Sequence, residues 1–318
     1  MKIPIKIRLL LWYLKQQKGM KVYEMTAPEA RLSSSKISDT AEYFLDYAPV
    51  PVFQIFDQTI TGRNGDIPIR IYQASDKEGL PVIMFFHGGG FVLRDIDSHD
   101  KFCRRTARDN KALVISVGYR LAPEYKFPAG VYDAYDATVW AAQYAGEYKG
   151  DTSQLVVMGD SAGGNLATVV AMMSRDLNGP EIAYQVLIYP CTDGTLKSPT
   201  IDQYAEGYFL TKKIIEWFID QYKSKEEDLI DPRMSPLFAE DFSNLPPAFI
   251  ITAEYDLLKG EGKMYADRLK AAGNEVIYKD YGGMIHGFMS MPKLSSRILE
   301  TYRDIQQILT KGLNKEIS

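Results

Sequence analysis

Short apolar runs recur along the chain and alternate with longer segments of mixed polarity. The runs are nearly free of polar residues, which is typical of strands that helices cover on both faces. Strands that alternate with helix-length segments predict an α/β fold on a mostly parallel sheet. The predicted strands are residues 81–86, 112–117, 155–158, 184–189, 248–252 and 275–278. The predicted helices are residues 98–110, 131–144, 161–174, 211–222, 260–272 and 293–309.

The segment before these units has a different pattern. Residues 53–73 alternate apolar and polar positions on either side of the turn-forming residues 62–66. Alternation around a Gly- and Asn-containing turn indicates a β-hairpin.

The first 23 residues form a basic amphipathic segment without an acidic residue. Its longest apolar run, residues 9–14, is too short to span a bilayer, and no signal-peptide cleavage site follows it. A helix that packs on the protein itself and a helix that lies on a membrane surface both fit this pattern, and packing is the favoured interpretation. The apolar positions at helical spacing are Ile3, Ile7, Leu10, Leu11 and Leu14, and the basic residues are Lys2, Lys6, Arg8, Lys15, Lys18 and Lys21.

Composition narrows the class of protein. The 318 residues are 46% hydrophobic and 25% charged, which is typical of a globular chain with one large domain or two small ones. The net charge of -4 argues against a nucleic-acid partner. Cys103 and Cys191 are the two cysteines, and such sparse usage predicts buried thiols in a reducing, cytoplasmic setting.

Residues 159–163, Gly-Asp-Ser-Ala-Gly, join a predicted strand to a predicted helix. This is the pattern of a nucleophile elbow, in which Gly159 and Gly163 allow a tight turn and Ser161 lies at its tip. The N-terminus of the following helix would favour negative charge at the serine. By itself the motif also fits an ordinary glycine-rich turn, so its partners decide the interpretation.

A glycine loop, His87-Gly88-Gly89-Gly90, directly follows the predicted strand 81–86. Glycines allow backbone N–H groups to approach a substrate oxygen, so we expect Gly88, Gly89 and Ala162 to form an oxyanion hole. His87 is expected to hold this loop in place.

A catalytic serine also needs a histidine, and the chain has three. His286 lies in a glycine-bounded loop after the last predicted strand, downstream of the serine, and is therefore the predicted base. His99 lies among Asp95, Asp97 and Asp100, which would suit a metal ion. A helix start capped by Ser98, with acids near its positive end, explains that cluster better, so no metal is expected.

Three segments together resemble the hormone-sensitive-lipase-like carboxylesterases of the α/β-hydrolase superfamily: residues 87–90, 119–124 (Tyr-Arg-Leu-Ala-Pro-Glu) and 159–167. The resemblance runs from about residue 53 to the end. It implies an eight-stranded, mostly parallel sheet flanked by helices, a Ser-His-Asp triad, a helical cap and a carboxylic ester substrate. It favours Asp256 as the acid. Leu257 stands where the family often has proline, so Glu254 remains an alternative.

The resemblance also suggests a domain organisation. Residues 191–237 are longer and more polar than a simple crossover, and residues 231–237 are similar to the segment that precedes the acid in this family. We therefore expect an N-terminal cap segment at 1–50, a catalytic domain at 51–190 and 238–318, and a second cap at 191–237. Asp160 and Glu124 are expected to be buried acids that support the elbow.

The predicted function is hydrolysis of short-chain acyl esters without a cofactor. Ser161 would attack the ester, His286 would take its proton and Asp256 would orient the imidazole. An amidase or deacetylase acting on small acylated molecules shares the triad and stays an alternative. A non-catalytic receptor, as in the plant gibberellin receptors that resemble these esterases, is disfavoured because His286 is present. The expected partner is a small ester, with no membrane-spanning segment, and either a monomer or a homodimer is compatible with the sequence.

Overall fold

In the described residues, 1–16 and 20–313, eight strands form one sheet in the order β1-β2-β4-β3-β5-β6-β7-β8. The structure is a computed structural model, and of residues 35–42 only the backbone is described. β1 and β2 form an antiparallel hairpin, β2 runs antiparallel to β4, and all other neighbours are parallel, which confirms the predicted fold class. The strands are β1 (Gln54–Gly62), β2 (Gly65–Gln73), β3 (Leu80–Phe86), β4 (Leu113–Val117), β5 (Gly150–Asp160), β6 (Tyr184–Ile188), β7 (Ala248–Tyr255) and β8 (Val276–Ile285).

Helices cover both faces of this sheet. Alternate residues of β3 enter different cores: Met84 and Phe86 lie in one apolar cluster, whereas Ile83 and Phe85 lie in the other. This two-sided burial explains why the central strands are almost entirely apolar. The helices are α1 (Ile5–Gln16), α2 (Ala27–Leu45), α3 (Asp100–Asn110), α4 (Ala129–Tyr144), α5 (Ala162–Asp176), α6 (Pro199–Gln203), α7 (Lys212–Tyr222), α8 (Lys259–Ala271) and α9 (Ser296–Leu313).

Most predicted elements are present, but β5 and β8 are longer than their apolar runs. β5 already begins at Gly150. Its first residues are mostly polar and at most partly buried, so they lie outside the apolar run from which the strand was predicted. β8 continues to Ile285 through Lys279 and Asp280, which are partly buried at the edge of the sheet. α2 was not predicted as a helix, since Ser33–Ser35 and the polar residues after them show no apolar period in the sequence.

The N-terminal segment forms a helix, and the apolar stripe predicted for this helix packs on the rest of the protein. Ile7 is fully buried, and Ile3, Leu10 and Leu11 pack against the same core. Lys18 of the basic segment lies outside the described residues. Among the helices of residues 1–16 and 20–313, none has the length and apolar character that crossing a bilayer requires.

The two cysteines behave as predicted. Cys103 and Cys191 are free thiols, and both are buried. Burial raises the pKa of Cys103 well above its ordinary value, so its thiol stays protonated and unreactive.

Candidate active site

Ser161 occupies the turn between β5 and α5. Its backbone angles, φ 57 and ψ -117, lie in a region that non-glycine residues rarely adopt. Its N–H donates to the carbonyl of Ile188 at 2.8 Å. A Cβ at Gly159 would overlap the backbone of Gly163, and a Cβ at Gly163 would overlap the carbonyl of Phe86. The two glycines therefore permit the close packing that presents the serine hydroxyl at the carboxyl end of β5.

The structure brings Ser161, His286 and Asp256 into one hydrogen-bonded chain. His286 Nε2 lies 2.9 Å from Ser161 Oγ, and His286 Nδ1 lies 2.7 Å from Asp256 Oδ2. The other carboxylate oxygen of Asp256 accepts the N–H of Leu258 at 2.9 Å, and the Asp256 side chain is buried. The three residues directly follow β5, β7 and β8. Because neighbouring parallel strands end at the same edge of a sheet, the three side chains come together there. This arrangement can activate a serine hydroxyl.

Glu254, the alternative acid, has different partners, which are the N–H of Gly283 and the amino group of Met1. Its Oε2 accepts the N–H of Gly283 at 2.7 Å, which ties β7 to β8 ahead of the histidine loop. In this structure the histidine is paired with Asp256, and Glu254 contributes to the position of the neighbouring strand.

The glycine loop differs from the prediction at Gly88. Its N–H donates to Asp160 Oδ1 at 2.8 Å, so that hydrogen is already engaged and Gly88 is not placed to bind an oxyanion. The next two residues, Gly89 and Gly90, have φ values of 125 and 62. A side chain at Gly89 would overlap the carbonyl of Leu93. These two positions therefore require glycine.

Asp160 connects the glycine loop to His99. His99 Nε2 lies 3.2 Å from Asp160 Oδ1, and both side chains are buried. Burial alone would raise the pKa of Asp160, but the His99 ring and the Gly88 N–H outweigh it and lower that pKa below its ordinary value. The carboxylate thus stays charged and holds Gly88. Sequence reasoning placed Asp160 beside the elbow but missed His99 as its partner, because these residues are far apart along the chain.

His87 supports the same loop from the other side. Its Nδ1 lies 2.8 Å from the carbonyl oxygen of Gly88, and the Tyr119 hydroxyl donates to its carbonyl at 2.7 Å. The Tyr119 ring stacks on the imidazole at a centroid distance of 4.4 Å. Burial lowers the pKa of His87 to about 4, with a further contribution from His99, so the ring is neutral at pH 7.

Glu124 was predicted to be a buried acid beside the elbow, and this is wrong. Its side chain is 45% exposed and pairs with Arg31 of α2 at 2.6 Å. Arg31 also donates to the carbonyls of Val92 and Ala122, at 2.8 and 2.7 Å. Glu124 therefore helps to position Arg31, and Arg31 joins α2 to the backbone at Val92 and Ala122.

The acids around His99 form ion pairs. Asp97 and Asp100 lie near Arg70, at 2.7 and 3.6 Å. Ser98 does not cap the helix, because its hydroxyl donates to the carbonyl of Asp95 and α3 begins at Asp100. In the described part of the chain, no cluster of three or more His, Cys, Asp or Glu side chains could hold a metal ion.

Glu261 is a buried acid that sequence reasoning missed. Its Oε1 accepts the N–H of Thr192 at 2.7 Å, in the loop that follows β6. Burial raises the pKa of Glu261 well above its ordinary value, although the Thr192 N–H opposes this shift. The signal was its spacing, since Glu261 shares one helix face with the buried residues Tyr265 and Leu269.

Comparisons with known proteins agree with this fold. A family model described as an alpha/beta hydrolase fold matches residues 83–290. The carboxylic ester hydrolase LipN of Mycobacterium tuberculosis is 44% identical over 246 residues, which cover 76% of this chain and 65%, slightly less than two thirds, of LipN. An arylesterase of Saccharolobus solfataricus is 39% identical, with 78% of this chain and 81% of that protein covered.

Solved structures are similar over nearly the whole chain. A hyperthermophilic esterase from the archaeon Pyrobaculum calidifontis superimposes with a TM-score of 0.92 at 41% identity. The superposition covers 98% of this chain and 99% of that esterase. The likeness therefore extends well beyond the strands of the sheet.

Proposed function

This chain belongs to the hormone-sensitive-lipase-like carboxylic ester hydrolases of the α/β-hydrolase fold, and from this premise we propose that it hydrolyses short-chain acyl esters through a Ser161-His286-Asp256 triad. The observation that carries the proposal is the continuous hydrogen-bonded chain from Asp256 through His286 to the serine oxygen, with distances of 2.7 and 2.9 Å. Proteins of similar sequence are named carboxylic ester hydrolase, arylesterase and ethyl acetate hydrolase, which supports ester hydrolysis.

In the proposed mechanism, His286 Nε2 takes the proton from Ser161 Oγ as this oxygen attacks the ester carbonyl. Asp256 keeps the Nδ1 hydrogen oriented and stabilises the imidazolium that forms. The imidazolium then protonates the leaving alcohol, and an acyl-serine remains. His286 next removes a proton from water, which attacks the acyl-serine, and the carboxylic acid departs as Ser161 regains its proton.

For the oxyanion we propose the backbone N–H groups of Gly89, Gly90 and Ala162. Gly88 is replaced in this role by Gly90, because the Gly88 N–H is bonded to Asp160. Ala162 is the first residue of α5, so its N–H lies at the positive end of the helix. Asp160 then acts as a positioning residue that holds the loop through Gly88.

We further propose that residues 1–50 and 191–237 cover the site and limit the length of the acyl chain. A side chain at Gly90 would overlap the ring of Phe218 in α7, so this aromatic residue lies directly over the glycine loop. A Cβ at Gly287, beside the catalytic histidine, would lie 3.4 Å from the ring of Phe209. Two aromatic rings from the insertion therefore stand over the site, and chains longer than the enclosed space gain no further transition-state binding.

The test is a panel of p-nitrophenyl esters from acetyl to dodecanoyl with the wild type and the Ser161→Ala and His286→Ala variants. We expect kcat/KM to be highest between acetyl and hexanoyl esters. Each substitution should lower kcat by a factor of about 10⁴ to 10⁶. Thermal unfolding serves as the control, because both variants should remain folded.

Two results would contradict the proposal. Near wild-type turnover by a folded variant would exclude this triad. Preference for dodecanoyl esters would exclude the short acyl pocket. Matched acyl anilides in the same panel distinguish an amidase, which would cleave them as fast as the esters.

A further inference from the structure

α1 has a second apolar face that does not pack on the protein. On a helix with 100° per residue, Ile5, Leu9, Trp12 and Tyr13 lie on the side opposite to the buried Ile7. Their exposed fractions are 63% for Ile5, 58% for Leu9, 62% for Trp12 and 56% for Tyr13. Four large apolar or aromatic side chains on one exposed helix face are unusual for a helix that serves only to cover a core.

The exposed face continues onto the end of α2. Lys6 donates to the carbonyl of Lys293 at 3.0 Å, and Lys293 donates to the carbonyl of Tyr43 at 2.7 Å. Tyr43 and its neighbour Phe44 are exposed, and their rings meet edge to face. We call this surface the N-terminal patch, and its apolar members are Ile5, Leu9, Trp12, Tyr13, Tyr43 and Phe44.

Basic side chains border the apolar strip of α1 on both sides. Lys6 follows one edge of the strip, and Arg8 and Lys15 follow the other, and all three are exposed. The first acidic residue of the chain is Glu24, whereas the whole protein has a net charge of -4. The charge that α1 itself carries is therefore opposite in sign to the net charge of the molecule.

We propose that the N-terminal patch binds the surface of an anionic phospholipid bilayer, with α1 lying in the plane of the interface. Trp and Tyr have apolar rings and polar groups that suit the boundary between lipid and water. Lys and Arg beside the strip can extend their amines and guanidinium groups to lipid phosphates while their stems cover acyl chains. A second copy of the chain fits the patch less well, because a twofold contact would place the same cations against each other.

The packed face and the free face have separate roles. Ile7 and its neighbours hold α1 on the protein, so the opposite face is presented in a fixed orientation. The helix does not need to rearrange before the patch contacts a membrane. The folded enzyme would therefore bind as one unit.

Cosedimentation of the full-length protein with lipid vesicles tests the proposal. One set of vesicles mixes phosphatidylglycerol with phosphatidylcholine, and the other is phosphatidylcholine alone. We expect binding to the anionic vesicles, weaker binding at high salt, and a blue shift of the Trp12 emission. Leu9→Gln/Trp12→Gln should lower the partition coefficient at least about tenfold. Arg8→Gln/Lys15→Gln should lower it about thirtyfold at low salt.

Matched controls separate the patch from general surface effects. Leu177→Gln/Ile230→Gln removes two exposed apolar residues elsewhere, and Lys77→Gln/Lys270→Gln removes two exposed cations elsewhere. Both controls should bind like the wild type. Thermal unfolding midpoints show that each variant is folded.

Three outcomes would overturn the proposal: no binding to anionic vesicles, equal binding to both kinds of vesicle, or equal loss in the patch variants and the controls. Analytical ultracentrifugation provides the remaining test. The wild type could fail to bind vesicles and form a dimer that the Leu9→Gln/Trp12→Gln variant does not form. That result would assign the patch to a contact with a second copy of the chain.

Discussion

Two carboxylates that lie close together in sequence, Glu254 and Asp256, have different surroundings. Glu254 accepts the N–H of Gly283 and pairs with the amino group of Met1, whereas Asp256 is buried and bonded to His286. A buried carboxylate beside an imidazole fixes the tautomer that leaves Nε2 free to accept a proton. This difference predicts that Asp256 contributes more to catalysis than Glu254, and mutagenesis can test that order.

Asp256→Asn should lower kcat by a factor on the order of 10⁴, because the amide would hold the imidazole in the wrong tautomer. Glu254→Gln should change kcat by less than about tenfold, since it weakens contacts to Gly283 and to the Met1 amino group and leaves the Asp256–His286 pair in place. Steady-state kinetics with p-nitrophenyl acetate measure both. The reverse ranking would move the catalytic acid to Glu254.

At the scale of secondary-structure elements, α2 is joined to the glycine-loop region through one side chain. Arg31 makes two hydrogen bonds to backbone carbonyls and a paired contact with Glu124. The carbonyls are partly buried, whereas the Glu124 side chain is 45% exposed. The backbone contacts should therefore contribute more to stability than the ion pair.

Arg31→Met keeps most of the apolar stem and removes the donors, so it should lower the free energy of unfolding by about 1–3 kcal/mol. Glu124→Gln should cost less than about 1 kcal/mol, because exposed ion pairs contribute little. Urea denaturation of the two variants gives both values. Equal effects would mean that α2 is held mainly by the ion pair.

At the scale of the whole molecule, Glu261 makes stability depend on pH. Its pKa in the folded protein is raised above the ordinary value of 4.5, so the folded state binds a proton that the unfolded state releases. Its stabilising contribution is complete below the ordinary pKa and is lost as the pH rises toward the folded pKa. The slope approaches about 1.4 kcal/mol per pH unit while only the unfolded state is deprotonated.

Glu261→Gln removes this titration and keeps an acceptor for the Thr192 N–H. We expect the variant to be less sensitive than the wild type to a rise in pH above the ordinary glutamate pKa, and to gain relative stability as the pH rises. Thermal unfolding from acid to alkaline pH measures the difference. Glu240→Gln, at an exposed position, is the control and should parallel the wild type. Parallel curves for Glu261→Gln and the wild type would contradict the buried protonated acid.

The sequence by itself determined most of the strands and helices and the order of the candidate catalytic residues along the chain. Buried parallel strands are read from apolar runs, and tight turns from glycines, because both depend on residues close together in the chain. The elbow at Ser161 and the histidine after the last strand follow from such local signals. The family resemblance added Asp256 and the hydrolase fold.

Only the tertiary structure decided which partners these groups have. Gly88 bonds to Asp160, 72 residues away, and Glu124 meets Arg31 from a helix that the sequence pattern did not predict. The pattern of α1 likewise showed one apolar stripe, whereas packing showed that a second apolar face remains in solvent. Hydrogen-bond partners and burial depend on which distant segments of the chain contact each other in the folded protein. The local sequence pattern does not specify those contacts.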